Sequence, residues 1–234
     1  MVTKDLAGGR GRHRLNSQTT RAAIVEAAGR LFGEVGYDEV TMRRIAQAAG
    51  CPHTAIYRYF PDKEALLEAL TRPVLEQMAQ DFDRLSAAPG LEPATSATEL
   101  DTETERQTER LVEMSMAFVR FGISRRNMFR VFFTVKAERV DQEPKPDGSA
   151  AGINRLRIHL FEQLSRQLSR TLGLDAADER LLPFSRGLYY LLHGMIGTYE
   201  TSEESDEQLL DRLQPTFHST IRCLISGYRA EIHA

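Results

Sequence analysis

Residues 41–60 constrain the fold of this chain more than any other stretch, because they encode two short helices joined by one tight turn. Thr41 is a good N-cap, since its hydroxyl can accept a backbone N–H of the first turn. Gly50 favours the left-handed conformation that ends a helix, and Pro52 suits the first turn of the next one. The apolar residues between these signals recur at helical spacing: Ile45, Ala48 and Ala49. The layout predicts a helix-turn-helix.

The second helix of this motif has two faces of different chemistry. Ile56 and Phe60 lie one turn apart and are expected to face inward. His53 and Tyr57 are also four residues apart, so they share another face. Three further residues extend that polar face: Thr54, Arg58 and Tyr59. A short helix with an apolar inner face and a hydrogen-bonding outer face can lie in a DNA major groove.

Two more helices complete the predicted unit. Asp62 is the expected N-cap of the following helix, and Lys63 lies at its N-terminus, where a lysine and free backbone N–H groups can hold a DNA phosphate. Upstream, residues 20–35 carry alanines and large apolar residues at helical spacing, so this helix can cover the other two. From the residues alone, a three-helix packing unit without a DNA role fits the same pattern.

Residues 17–70 together resemble the N-terminal region of the TetR family of bacterial transcriptional regulators. The matching residues are Arg21, Ile24, Val25, Glu26, Ala27, Ala28, Phe32, Gly36, Tyr37, Thr41, Ile45, Ala46, Ala49, Gly50, Ala55, Ile56, Tyr57, Tyr59, Phe60, Lys63, Glu64, Ala65 and Leu66. The resemblance implies that Arg43 occupies a position that can read a base edge. Three departures, Cys51, Pro52 and Thr54, alter the motif, and Thr54 leaves the DNA sequence that is read open.

The charge is unevenly distributed along the chain. The 234 residues carry a net charge of −3. Residues 1–72 hold 11 Lys and Arg against 8 Asp and Glu, whereas residues 73–234 hold 19 against 25. A basic N-terminal third beside an acidic remainder is an asymmetry that nucleic-acid binders show. Residues 1–16 are glycine-rich and basic, and we predict a flexible arm there that reaches a minor groove or phosphates; a tail without a role is the alternative.

The composition also indicates the compartment. The chain has no run of 18 apolar residues and no apolar segment near its N-terminus, so neither a membrane span nor a secretory signal is expected. The two cysteines, Cys51 and Cys223, are far apart in sequence and suit a reducing cytoplasm. No Cys/His cluster has zinc spacing, and no metal or cofactor is expected.

Residues 71–234 show no β-type alternation, so we predict an all-α chain of roughly nine helices. Helices are expected over residues 65–85, 103–122, 125–140, 153–172, 176–201 and 205–232, with loops at residues 87–98 and 141–152. Pro73, Pro183 and Pro215 are expected to kink or shorten the helices that contain them. The domains are therefore a basic arm (residues 1–16), a helix-turn-helix domain (17–70) and a larger helical domain (71–234).

The last two predicted helices carry a candidate dimer interface. Leucine and aromatic residues recur every three or four positions in the final helix, as in a coiled-coil seam, and glycines in the preceding helix permit close approach. The candidate residues are Gly187, Leu191, Gly194, Leu213, Phe217, Ile221 and Leu224. An intramolecular core seam is the alternative, whereas the TetR resemblance implies a homodimer formed by these helices. A twofold dimer demands a palindromic operator.

The middle helices are rich in methionine and phenylalanine, which can line an adaptable apolar cavity or fill a plain core. The TetR resemblance implies a small-molecule pocket here, with Met114, Phe118, Phe121, Phe129, Phe132 and Phe133 as candidate lining residues. His159 and His193 lie in apolar surroundings and are expected to be hydrogen-bonded core residues.

The leading hypothesis is a transcriptional repressor that binds double-stranded operator DNA and is released by an unknown small-molecule effector. A helix-turn-helix protein that acts through protein–protein contacts is the second hypothesis. An enzyme using the C-terminal pocket is the third, although the sequence contains no phosphate loop, nucleophile elbow or His-Glu-x-x-His motif.

Overall fold

A computed structural model describes residues 8–86, 97–133, 135–142 and 151–234, and within them every regular element is a helix. The helices are α1 (Gly8–Val35), α2 (Met42–Ala48), α3 (His53–Ile56), α4 (Lys63–Ser86), α5 (Ala97–Ser124), α6 (Arg126–Phe133), α7 (Ala151–Leu172), α8 (Leu181–Gly197) and α9 (Asp206–Ile232). The prediction of an all-α chain is confirmed. None of the described helices is both long enough and apolar enough to cross a bilayer.

The first three helices and the start of α4 form the N-terminal unit. The Thr41 hydroxyl accepts a hydrogen bond from the Arg44 N–H at 3.3 Å, as expected of an N-cap. Gly50 has a φ angle of 67°, the left-handed conformation that the turn requires. Asp62 caps α4 by accepting from the Ala65 N–H at 2.7 Å. The motif is therefore held by the local signals that the sequence contains.

Helix α1 begins earlier than expected, at Gly8. The prediction of a flexible basic arm is therefore wrong for residues 8–16, which continue α1 by one uninterrupted helix. Residues 1–7 of the predicted arm lie outside the described residues. Most of the two predicted loops, residues 87–96 and 143–150, also lies outside them.

Helix α6 is shorter than the predicted helix over residues 125–140, because carbonyls at its end bond to a side chain from α7. The Arg157 guanidinium is 1% exposed and donates to the carbonyl oxygens of Phe132 at 2.7 Å and Val135 at 3.1 Å. A cation at a helix C-terminus also interacts favourably with the helix dipole. Lys136 then adopts a left-handed φ angle of 53°, and the chain leaves the helix.

Helix α8 begins later than expected, and each of the three prolines lies within a helix. Asp175 and Asp178 accept hydrogen bonds from backbone N–H groups two residues on, so residues 175–180 form turns and α8 begins at Leu181. Pro183 therefore lies in the first turn of α8, where it removes no hydrogen bond. Pro73 and Pro215 lie inside α4 and α9, and both helices continue past them.

The C-terminal part packs α4, α5, α7, α8 and α9 around one apolar core. Helix α7 contacts α4, α5 and α8, whereas α9 packs mainly on α5. Helix α6 contacts α1 of the N-terminal unit, and α4 belongs to both parts of the chain. These two helices therefore connect the helix-turn-helix to the larger helical bundle.

Candidate nucleic-acid interface and effector cavity

The outer face of the helix-turn-helix is built on a buried inner face. Ile56 and Phe60 are buried, as the sequence predicted, and fix the orientation of α3. The side chains on the opposite face reach solvent: His53, Thr54, Tyr57 and Arg58. The backbone beyond α3 continues as a tightened turn, with Arg58 and Tyr59 N–H groups bonding to carbonyls three residues earlier. The structure therefore brings four of the predicted DNA-binding residues together on one exposed ridge.

His53 and Tyr57 form a pair on this ridge. The Nε2 atom of His53 lies 3.2 Å from the Tyr57 hydroxyl oxygen, and the two rings meet edge to face with centroids 5.3 Å apart. The contact limits the rotamers of both side chains in the absence of any ligand, so less side-chain entropy is lost when they contact another molecule.

Tyr59 does not belong to the exposed ridge. Its side chain is half-buried and packs against the apolar core, so it is less accessible than the four ridge residues.

Helix α2 adds two cations beside the ridge. Arg43 is exposed, as its predicted role requires, and Arg44 is exposed next to it. Sequence reasoning missed Arg44, although its position directly after Arg43 on a short helix was a usable signal. Arg21 of α1 lies over the Phe60 ring at 4.8 Å from its centroid, a cation–π contact that joins α1 to the end of the motif.

Lys63, which the sequence predicted to contact a phosphate, is hydrogen-bonded within the chain. Its Nζ atom donates hydrogen bonds to three carbonyl oxygens, those of Tyr37 at 2.8 Å, Val40 at 3.1 Å and Asp38 at 3.4 Å. An ammonium group has three N–H donors, so all of them point into the loop between α1 and α2. Lys63 therefore ties the start of α4 to this loop. Burial and three nearby carboxylates raise the pKa of Tyr37 to about 12.

The methionine and phenylalanine residues predicted to line a pocket instead pack mainly against one another. The Phe118 ring lies 5.1 Å from the Phe133 ring and 6.0 Å from the Phe129 ring, measured between centroids. Phe121 contacts Phe132 at 5.9 Å, and Met114 is fully buried. Of the six candidates, Phe133 lines the cavity described below. The five phenylalanines among the candidates therefore form a packed aromatic cluster, and a cavity lies at its edge.

His193 completes this aromatic cluster. Its ring lies between 4.0 and 5.5 Å from the rings of four neighbours: Phe118, Phe129, Phe133 and Tyr189. Its Nδ1 atom lies 3.0 Å from the Tyr189 carbonyl oxygen, and within the described part of the chain its Nε2 atom has no hydrogen-bond partner. Burial lowers the pKa of His193 to about 4, so the imidazole is neutral at pH 7.

A cavity of about 360 Å³ lies between the segment after α6 and helices α7 and α8. Its walls combine aromatic rings with charged groups: Phe133, Glu138, Arg139, Val140, Asp141, Phe161, Arg186, Tyr189 and Tyr190. The Asp141 carboxylate is only 7% exposed and pairs with both arginines, which hold its pKa well below the usual range. Among the described residues, no group of His, Cys, Asp and Glu could hold a metal ion.

Several of the residues predicted for a dimer interface are used within one chain. Leu213, Phe217 and Ile221 are buried in the core of the bundle, which corrects their assignment to the surface of a dimer. These three residues fit the alternative interpretation of the sequence, an apolar seam in the core of a single chain. Gly187 also has an internal role, because a Cβ atom there would overlap the hydroxyl oxygen of Tyr228.

Three predicted interface residues stay at the surface. Gly194 is exposed, and a Cβ atom there would meet no atom within 4 Å. Leu191 and Leu224 are half-buried on the same two helices. The outer faces of α8 and α9, unlike the buried residues of the α9 seam, therefore stay accessible at the surface of the single chain.

The N-terminal unit matches a known protein family. The family described as bacterial regulatory proteins, tetR family, matches residues 24–70. The HTH-type transcriptional repressor Rv1474c of Mycobacterium tuberculosis is 48% identical over 59 residues, which are 25% of this chain and 32% of that protein. The chain thus matches about a third of the length of this curated relative.

Solved structures share the fold over most of the chain. The TetR family transcriptional regulator PfmR from Thermus thermophilus superposes with a TM-score of 0.60 at 19% identity, covering 87% of this chain and 97% of that one. The fatty acid degradation regulator FadR from Bacillus halodurans gives a TM-score of 0.57 at 15% identity, over 86% and 94% of the two chains. At these identities the likeness shows the fold alone.

Proposed function

Because residues 24–70 are the N-terminal domain of the TetR family of bacterial regulatory proteins, we propose that this chain is a DNA-binding transcriptional repressor. The domain division proposed from the sequence is kept, with the helix-turn-helix in residues 17–70 and an effector-binding and dimerisation domain in residues 71–234. A repressor of this kind acts on the bacterial chromosome and therefore in the cytoplasm.

The exposed ridge on α3 is the observation that carries this proposal. His53, Thr54, Tyr57 and Arg58 reach solvent from a helix whose inner face is fixed by Ile56 and Phe60. Such a ridge offers hydrogen-bond donors and acceptors, an aromatic ring and a cation to base edges and phosphates. Arg43 and Arg44 on α2 add positive charge beside it, which favours DNA and makes the affinity depend on salt.

Release by an effector requires a connection between the C-terminal domain and the ridge. The segment after α6 supplies one, because Lys136 forms an ion pair of 3.2 Å with Glu64 in the first turn of α4. The neighbouring Lys63 holds the loop between α1 and α2. An effector that binds one arrangement of this segment more tightly than another would shift the population of DNA-competent molecules.

A homodimer would present two such ridges to DNA. The exposed Gly194 with the half-buried Leu191 and Leu224 supports an interface on the outer faces of α8 and α9, where small residues permit close helix packing. Twofold symmetry then requires a palindromic operator whose half-sites are separated by one helical turn or a multiple of it.

In vitro selection from a random DNA library tests the proposal directly. The purified chain should enrich a palindromic sequence, and a Thr54→Ala/Tyr57→Ala/Arg58→Ala variant should not. Failure of the folded wild type to enrich any sequence would favour the alternative of a helix-turn-helix protein that acts through protein contacts. Chemical conversion of a ligand bound in the C-terminal domain would favour the enzyme alternative.

A further inference from the structure

The cavity beside α8 places an arginine fork at one end of an aromatic chamber. Phe161 and Tyr189 meet edge to face with centroids 5.6 Å apart, and Tyr189 lies 6.2 Å from Tyr190. Phe133 closes the cavity on the side of the aromatic cluster. A further flat ring in the cavity could pack favourably against these rings, because aromatic pairs favour offset and edge-to-face contacts. The volume of about 360 Å³ falls in the range of small-molecule sites.

Arg186 is held by an incomplete ion pair. Both its Nε and its Nη2 atoms donate to the same Asp141 oxygen, Oδ2, with the Nε distance at 2.8 Å. The other oxygen, Oδ1, accepts from the Arg139 Nε atom at 3.1 Å. An arginine fork bonds most strongly when each of its two N–H donors has its own carboxylate oxygen. In this structure Asp141 does not supply this arrangement to Arg186, because its second oxygen bonds to Arg139 instead.

The charged residues that line the cavity determine which class of ligand it can bind. Arg139 and Arg186 are balanced by Glu138 and Asp141, so the cavity has no net field that attracts an ion. A ligand anion gains affinity only by replacing Asp141 on Arg186, where both of its oxygens can be bound. Asp141 would lose its ion pair with Arg186 but would keep its two hydrogen bonds to Arg139, at 3.1 and 2.9 Å, so its charge would remain paired.

We propose that this cavity is the effector site and that its ligand class is the aromatic carboxylic acids, with the carboxylate exchanging for Asp141 on Arg186. This inference rests on the proposed function, because it identifies the effector of the repressor. The ring fills the space between Phe161, Tyr189 and Tyr190, and the carboxylate bonds to the guanidinium fork.

The exchange also explains how occupancy would reach the DNA-binding unit. Asp141 lies in the described segment that follows α6, residues 135–142, and its bond to Arg186 ties this segment to α8. The other end of the segment holds Lys136, which pairs with Glu64 of α4. Releasing Asp141 from Arg186 therefore removes one tie on a segment that is also tied to the start of α4 through Lys136.

Isothermal titration calorimetry with 2-naphthoate, 2-naphthamide and 2-naphthylmethylamine tests the proposal on the full-length protein. The three probes share a ring system and carry a negative, a neutral and a positive head group. We expect 2-naphthoate to bind at least about tenfold more tightly than the amide, the difference that a charge-assisted hydrogen bond produces. Equal affinities of acid and amide, or tighter binding of the amine, would overturn the proposal.

Three variants locate the head group. Arg186→Gln should weaken 2-naphthoate binding about tenfold to a hundredfold and leave 2-naphthamide unchanged. Asp141→Asn keeps the side-chain shape but removes the resident anion, so it should tighten 2-naphthoate binding. Arg180→Gln is the matched control, because Arg180 forms a similar pair with Asp178 outside the cavity lining. Circular dichroism establishes that each variant is folded, and an unchanged 2-naphthoate affinity in folded Arg186→Gln would refute the site.

A mobility shift with the selected operator separates this inference from the proposed function. Operator binding without Arg186-dependent 2-naphthoate binding would refute the effector site alone. Arg186-dependent binding of 2-naphthoate by a chain that selects no DNA would refute the repressor function and the effector role, while the acid-binding cavity would stand.

Discussion

The ammonium group of Lys63 donates a hydrogen bond of 2.8 Å to the carbonyl oxygen of Tyr37, 26 residues earlier in the chain, and lies 4.3 Å from the centroid of the same tyrosine ring. A residue that the sequence marks as a phosphate contact thus holds the helix-turn-helix together from inside. The lysine therefore ties the start of α4 to the α1–α2 loop, beside the buried side chains of Tyr37 and Val40.

Lys63→Ala is therefore expected to destabilise the protein and not merely to weaken DNA binding. The carbonyl oxygens of Tyr37 and Val40 would lose a charged donor, and the free energy of unfolding should fall by roughly 1–3 kcal/mol. Urea denaturation followed by circular dichroism measures this change. Arg58→Ala serves as the control, because Arg58 is exposed and its removal should leave the stability within about 0.5 kcal/mol of wild type.

Tyr57→Ala should weaken operator binding without unfolding the protein, because the ring is 46% exposed and packs mainly against His53. We expect a loss of about 1–3 kcal/mol in binding free energy, the range for a side chain that contacts bases. A mobility shift at fixed salt concentration measures it. Leu182→Ala, at a leucine that is 39% exposed in the first turn of α8 and lies outside the cavity lining, should leave operator affinity unchanged. Equal affinities of the wild type and Tyr57→Ala would contradict a role of α3 in DNA recognition.

Replacement of Arg43 distinguishes base reading from phosphate binding. If Arg43 contacts a base edge, as we expect, the Arg43→Ala protein should lose specificity at one base position. Operators that differ only at that position should then bind with similar affinities. If it contacts a phosphate, affinity should fall by a similar factor for all operators, and the dependence of affinity on salt should become weaker by about one charge. Binding measured across a set of single-base operator variants at two salt concentrations decides between the two.

Two glycines of α8 provide a matched test of the dimer surface. Gly187→Ala should destabilise the single chain, since the new Cβ atom would overlap the Tyr228 hydroxyl, and the Tyr228→Phe change should restore part of the loss. Gly194→Phe should leave the fold of the chain intact, because space around its Cβ position is open, and should dissociate the dimer. Analytical ultracentrifugation measures the second effect. A Gly194→Phe protein that remains a dimer would place the interface elsewhere.

The pH dependence of stability should reveal His193. Its folded-state pKa, about 4, is lower than the value of about 6.5 for an unperturbed histidine, so the unfolded chain takes up the proton first. The free energy of unfolding therefore keeps its full value above about pH 6.5. It decreases as the pH falls toward 4, by an amount on the order of 2–3 kcal/mol. His193→Gln should show a smaller loss over this interval in denaturation curves measured at several pH values. If the free energy of unfolding changed with pH equally in the two proteins, the imidazole of His193 would not be buried and neutral in the folded state.

The local signals in the sequence predicted the helix-turn-helix well. Thr41, Gly50 and Asp62 act within three or four residues of their own positions, so neither their roles nor the ends of the neighbouring helices depend on the rest of the fold. The inward direction of Ile56 and Phe60 follows from helical spacing for the same reason. The sequence alone therefore determined the all-α class, the motif and its family.

Only the tertiary structure decided how the helices use their faces. Spacing identifies the apolar seam of α9, but whether that seam meets α5 or a second copy depends on helices distant in the sequence, and Phe217 and Ile221 prove to be core. The three carbonyls that hold Lys63 and the pairing of Asp141 with Arg186, 45 residues apart, are likewise set by packing. Hydrogen bonds between distant residues need both partners placed in space, and no periodicity in one segment carries that information.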